Sequence, residues 1–202
     1  MPIYRLDNMT PVIDESAYVH PSAEVIGDVI IEAHCYIAPG AVLRGDFGLI
    51  HVKHHSNIQD NCVLHSFPNQ DCIVAAYGHV GHASVLHGCQ LEDNVLIGMN
   101  AVIMDEVIIA KNSIIAANSL VPAKFSCEPD SLILGSPARV KRPLSKQEIA
   151  WKTEGTEQYV QLAKRYLSSC EPIARSELPA ERTQRGNTAP AYQFKPGHSD
   201  DT

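Results

Sequence analysis

Aliphatic residues recur at every sixth position over much of this chain of 202 residues. Counted from Val19 they fall at Val25, Ile31, Ile37, Leu43 and Leu49. A second series runs Val85, Leu91, Ile97, Ile103, Ile109, Ile115 and Val121, and a short third is Val52, Ile58 and Leu64. Small residues follow many of these positions, as in Ile97-Gly98 and Ile109-Ala110. A period of six fits neither the 3.6 of an α-helix nor the alternation of a flat strand. It predicts a parallel β-helix, in which each short strand turns one aliphatic side chain inward. Three such sides close a coil of about 18 residues, and each coil packs only on its neighbours. Ordinary hairpins would need turn chemistry every 8–12 residues or so, which the sixes do not supply.

The same pattern divides the chain. Residues 1–135 read as a β-helix domain with an N-terminal cap, the repeats running from about Ser16 to Val121. The register breaks near Phe47–His51 and Ser66–Gly78, and both breaks read as loops thrown out from the coil. Residues 136–170 read as an exit segment and a C-terminal α-helix. Ser145 and Glu148 form a capping-box pattern at its start. Ile149, Trp151, Tyr159, Val160, Leu162, Ala163, Tyr166 and Leu167 give the helix one apolar side, with Gly155 as an interruption. That side is expected to pack along the coil or across a subunit boundary. Residues 171–202 are polar and rich in proline and charge, and are expected to form a flexible tail.

Composition narrows the function classes. A hydrophobic fraction of 45% supports a core, and only 6% aromatic residues favours an interior of small β-branched side chains. The net charge of −7, with no dense basic block, argues against nucleic acid as the main partner. No apolar run approaches the roughly 18 residues of a membrane span. The opening MPIYRLDNMTPVID lacks a basic-then-apolar signal pattern, so a cytoplasmic protein is expected. The six cysteines form no CxxC pair and read as free thiols.

The candidate chemistry lies in GHVGHASVLHGC, Gly78–Cys89, which holds three histidines. His65 follows Leu64 and His87 follows Leu86, so both occupy the same slot on adjacent coils. Equivalent slots stack about 4.8 Å apart, close enough for two imidazoles to share one metal ion. His82 lies near the previous corner and would join them only from a neighbouring copy, in a trimer whose three-fold axis runs parallel to the coils. Spacing alone fits equally well with solvated histidines at coil corners.

RGDFG (Arg44–Gly48), NIQD (Asn57–Asp60), His65 and GHASVLHG (Gly81–Gly88) together resemble the γ-class carbonic anhydrase-like family of left-handed parallel β-helix proteins. The resemblance implies an all-β homotrimer with active sites at subunit interfaces. It implies a divalent metal, Zn2+ first, with Fe2+ or Co2+ as alternatives, held by His65 and His87 of one subunit and His82 of the next. Three protein ligands leave room for water, as in catalytic rather than structural zinc sites. Arg44 and Asp46 match the family's intersubunit ion pair, and Gln59 and Asp60 match polar residues beside the metal. Gln59 would orient water or stabilise an oxyanion, and Asp60 would act as a base or hold a ligand.

Further stretches, among them VHPSAEVIGDVII, GMNAVIMD, GSPARV and LSKQEIAWK, extend the resemblance over roughly residues 1–170 to members that hydrolyse coenzyme A thioesters of hydroxylated arylacetates. The implied activity is a metal-dependent acyl-CoA thioesterase. Arg139, Lys141 and Arg142 are candidates to meet the phosphates of CoA. Phe47 stands where carbonic anhydrases of the family carry a glutamate, and the SFPNQD loop has none either, which weakens the expectation of CO2 hydration. The alternatives are a carbonic anhydrase, a non-catalytic accessory trimer of carnitine metabolism, and a metal-free acyltransferase working through one histidine.

Overall fold

A computed structural model of the chain describes residues 2–181. The repeats wind into a left-handed parallel β-helix of triangular section. Each face is a ladder of short parallel strands, and each ladder sends one column of aliphatics inward. One column is Val19, Ile37, Ile58, Val80, Ile97, Ile115 and Ile133, paired rung on rung. The second is Val25, Leu43, Leu64, Leu86, Ile103 and Val121. The third is Ile31, Val52, Val74, Leu91 and Ile109. All but Val19 are at most 1% exposed, and together they form one continuous core. Truncating any of them to alanine removes buried methyls the stack cannot refill, at a cost of about 2–5 kcal/mol for leucine or isoleucine.

The register corrects the sequence reading at three points. Leu49 is not in the core; Ile50 is, because the chain gains three residues around Phe47, Leu43 pairing with Val25 but Val52 with Ile31. The extra residues form no separate loop: Val42–Val52 runs as one strand of 11 residues and carries them as a bulge between Gly45 and Ile50, opposite the shorter stretch Gly27–Val29. Val85 is likewise only half-buried while Leu86 points inward, so the next step, Leu86 to Leu91, is five residues. Gly88, in the left-handed region at φ 52°, makes that tight corner. The break at Ser66 is a true loop, short, with the strand Cys72–Val74 resuming behind it.

Corner positions adopt left-handed backbone on coil after coil. His34, His55, Tyr77, Asn94, Asn112 and Asp130 form one such column, with φ between 59° and 61°. Asparagine tolerates this conformation best among residues with a side chain. Here it also bonds along the stack: Asn94 donates to Asn112 at 3.0 Å and Asn112 to Asp130 at 2.8 Å.

Helix α1, Lys146–Ser169, begins with the expected capping box between Ser145 and Glu148. It returns along one face of the coil and crosses the strands of the first turns. Gly155 does not interrupt it. Tyr159 and Tyr166 pack on Tyr36, and Tyr166 also meets Tyr18 edge-on at 4.9 Å. Deeper in the contact, Lys152 is 1% exposed and donates to Asn94 Oδ1 at 2.8 Å and to the carbonyl of Tyr77. Burial pulls the Lys152 ammonium down to about 7.

All six cysteines are free thiols, four of them buried. Among the described residues no helix is long and apolar enough to cross a membrane. Residues 171–181 are exposed, with one turn of 3-10 helix at Arg175–Glu177. The rest of the expected tail, 182–202, lies outside the described residues.

Candidate active site

Two clusters carry the predicted site residues. The first is built by strand register. Val63–His65 and Val85–His87 pair in parallel, with His65 directly opposite His87. His65 Nδ1 faces His87 Nε2 at 3.0 Å. The outer nitrogens are held by carboxylates. His65 Nε2 meets Asp46 Oδ1 at 2.8 Å, and His87 Nδ1 meets Asp105. Arg44 closes the row on the other oxygen of Asp46. Partial burial would raise the Asp46 carboxyl, but the bonds from Arg44 and His65 outweigh it and hold the group below its ordinary value. Two exposed phenylalanines flank the pair: Phe47 with its ring 5.6 Å from His65, and Phe67 edge-on to His87 at 4.8 Å.

The second cluster sits on the face that helix α1 covers. His82 turns at a corner and gives Nδ1 to Asp60 Oδ2 at 2.6 Å. Gln59 lies nearby, buried to 3%. Its Nε2 donates to Asn57 Oδ1 at 3.0 Å and contacts His79 Nε2 at 2.7 Å. The direction of that second bond follows from its neighbours. Thr156 donates its hydroxyl hydrogen to the carbonyl of Lys152, so its oxygen must accept from His79 Nδ1, 3.2 Å away. Burial, then the charges of Lys152 and His82, push His79 down to about 3, so it is neutral and its Nε2 is an acceptor. Gln59 therefore spends both amide hydrogens inward and presents only Oε1.

The donor set suits a divalent metal. His65, His82 and His87 each give one ring nitrogen to a carboxylate and turn the other away from it, the arrangement that orients histidine ligands in metal sites. Two nitrogens sharing a tetrahedral zinc through bonds of roughly 2.0–2.1 Å stand about 3.3 Å apart, close to the His65–His87 separation. Within one chain, among the described residues, no three such side chains converge.

The remaining predicted residues are dispersed. Arg139, Lys141 and Arg142 lie on the exposed edge strand Ala138–Pro143 at the far end of the coil. Arg142 grips Glu148 through two bonds of 2.9 Å and so helps to start the helix. Arg44 pairs with Asp46 of its own chain. Sequence reasoning missed Asp105, although it follows His87 by one coil of 18 residues and the repeat predicts it as a neighbour. It also missed His79, Thr156 and Lys152, which meet only through helix docking.

Coil, corners and repeat length define a hexapeptide-repeat protein. The family profile described as bacterial transferase hexapeptide (six repeats) matches residues 10–45 and 88–123. Carnitine operon protein CaiE of Salmonella agona is 45% identical over 180 residues, spanning 88% of this chain and 91% of its own length. CaiE of Escherichia coli K12 is 43% identical over 187 residues, 91% of this chain and 95% of its own. Among solved structures, a hexapeptide transferase family protein from Anaplasma phagocytophilum superposes with TM-score 0.79 at 32% identity, over 82% of this chain and 98% of that one. A Bacillus cereus protein provisionally described as an acetyltransferase gives TM-score 0.81 at 32% identity, over 82% and 96%. The chain belongs to the hexapeptide-repeat transferase family, and the two relatives described above carry the name CaiE.

Proposed function

We propose that this chain is a metal-dependent acyl-CoA thioesterase, acting as a homotrimer whose active sites join the two clusters across subunit boundaries. The observation that carries the reading is the common build of three histidines: His65, His82 and His87 each have a carboxylate on one nitrogen and the other nitrogen turned away from it. His65 and His87 of one subunit and His82 of the next would hold the ion. A divalent ion there would acidify a water molecule toward neutrality and polarise a carbonyl. Zn2+ fits this donor set, and Fe2+ and Co2+ fit it also.

The protein's own groups do the rest. Asp46, Asp60 and Asp105 fix the three imidazole rings. Asp60 is occupied by His82, so it serves as a holder of a ligand rather than as the base. Gln59 has no hydrogen left for an oxyanion; its Oε1 is an acceptor, open to a hydroxyl of the bound acyl group. Water adds to the thioester carbonyl carbon, the carbon–sulfur bond breaks, one water hydrogen ends on the CoA thiol, and the carboxylate leaves with the other released to solvent as a proton. Arg139 and Lys141 are exposed and suit CoA phosphates, whereas Arg142 is committed to Glu148.

The motifs resemble those of the phenylacetic acid degradation protein PaaY, which places hydroxyaryl CoA esters first among substrates. A second reading, service beside carnitine metabolism, draws on the CaiE relatives. Carbonic anhydrase activity is disfavoured by Phe47, which lies against His65 and carries no proton. The test is thiol release from phenylacetyl-, hydroxyphenylacetyl-, acetyl- and crotonobetainyl-CoA, with and without chelator. Chelator-sensitive hydrolysis favouring hydroxyaryl esters supports the reading. No hydrolysis by metal-loaded protein defeats it and leaves an accessory trimer.

A further inference from the structure

Helix α1 does not lie flush on the coil. Between them is a hollow of about 470 Å³, walled by Leu96, Ile97, Met99, Trp151 and Tyr159, with His82 and Gln59 also lining it. About 150 Å³ suffices to hold benzene, so the space admits an aryl group with atoms to spare. Three glycines contribute to its lining, and they are not equivalent. A Cβ on Gly81 would meet the backbone of Ile97 and Met99 at 2.8 Å, and one on Gly98 would strike the backbone of Ala117. Those two are required by the closeness of the coils. A Cβ on Gly155 would meet nothing within 4 Å.

Gly155 thus sits in the middle of a 24-residue helix with no packing reason to be glycine. Glycine is the poorest helix former after proline. What it leaves behind is open space facing His82 and Gln59. The walls are mainly apolar and aromatic, with Glu154 and Gln158 among the polar groups on the helix side. Gln59, the buried polar group of the lining besides Lys152, presents an acceptor, whereas the Lys152 ammonium is turned to Tyr77 and Asn94.

We infer that this hollow is the acyl subsite and that Gly155 sets the size of the acyl group it admits. The inference rests on the proposed thioesterase reading for the identity of the ligand as a CoA ester. The class of acyl group follows from the walls: apolar and ring-sized, preferred when it carries a hydroxyl to give to Gln59 Oε1.

Trp151 is the sole tryptophan of the chain and lines the hollow, so its fluorescence reports entry. The experiment titrates full-length protein, held in chelator to stop turnover, with phenylacetyl-CoA, 4-hydroxyphenylacetyl-CoA and acetyl-CoA. The expected order of affinity is hydroxyphenylacetyl, phenylacetyl, acetyl, with about 10-fold or more between the aryl esters and acetyl-CoA. Gly155→Leu, which fills the hollow from the helix side, should collapse that ratio to near unity while the purified protein retains wild-type metal content. Gly155→Ala, adding one methyl, should fall between and guards against a folding defect in the larger variant. Unchanged aryl preference in Gly155→Leu overturns the subsite. Chelator-insensitive hydrolysis would instead defeat the metal reading, and the order of affinity is then read with the non-hydrolysable thioether analogues of the same esters.

Discussion

The His65–His87 cluster and the His82–Gln59 cluster are built by different means. In the first, the contacts that hold the histidines are between coils that follow one another: Asp46 to His65, His65 to His87, and His87 to Asp105 one turn on. In the second, the decisive contacts join residues far apart in the chain, as Thr156 to His79, 77 residues away. A repeat makes the first kind of site readable, because the period converts sequence distance into spatial neighbourhood. It says nothing of the second, where a helix laid across the repeats decides which side chains meet.

The largest effect that would break this comparison concerns the three histidines proposed as metal ligands. His87→Ala should remove hydrolysis to background and lower bound metal, measured by elemental analysis. His82→Ala should do the same although His82 touches neither His65 nor His87 within a chain. Mixing and refolding His82→Ala with His65→Ala protein should then recover part of the activity, since some interfaces regain all three ligands. No recovery, with each variant still trimeric, would show that the clusters do not share a site.

Next in size is Asp105→Asn, which leaves His87 without its carboxylate. Loss of an outer partner of this kind weakens metal binding by about 10–100-fold, readable by competition with a chelator of known affinity. An equal loss on mutating Glu32, which pairs with His51 elsewhere on the coil, would mean that any histidine–carboxylate pair matters alike.

Lys152 sharpens the second cluster. Its pKa falls from 10.5 when free to about 7 in the folded protein. Between those values the unfolded chain holds more protons, so this residue makes stability rise as pH increases from about 7 toward 10, and contributes no slope below that. The signal is the melting temperature of wild type minus that of Lys152→Met, which should fall as pH is lowered through this window. Buried tyrosines and cysteines titrate in both proteins and cancel in the difference. A constant difference would place the lysine charge in solvent. Smallest is Gly155→Ala, expected to stabilise the helix by up to about 1 kcal/mol; destabilisation would mean that the helix packs closer to the coil than described.

Most of the coil was legible, because neither a helix nor a flat strand calls for one aliphatic in every six residues. The slips at Leu49 and Val85 came from places where the chain gains three residues or loses one between coils. A fixed period cannot see such a step, while Ile50 and Leu86 take the inward slot without any change in composition. The paired histidines were legible for the same reason. Asp105 was within reach of the same counting. Gln59 was recognisable through motif resemblance, but not the face it presents, which is set by a hydrogen-bond chain through His79 to Thr156. The hollow was invisible, since an unneeded glycine in a helix looks like an interruption until its surroundings are known.

Helix α1 spans about 36 Å at 1.5 Å per residue, close to the rise of the coil it retraces. It starts at the exit of the last turn, where Arg142 grips Glu148, and ends against Tyr18 in the first. A stack in which each unit touches only its neighbours behaves like a zipper and opens from whichever end is weaker. Tying the last tooth to the first removes the free ends. The chain should then lose its structure in one event, and cutting the helix at its start should turn that single transition into a graded unravelling.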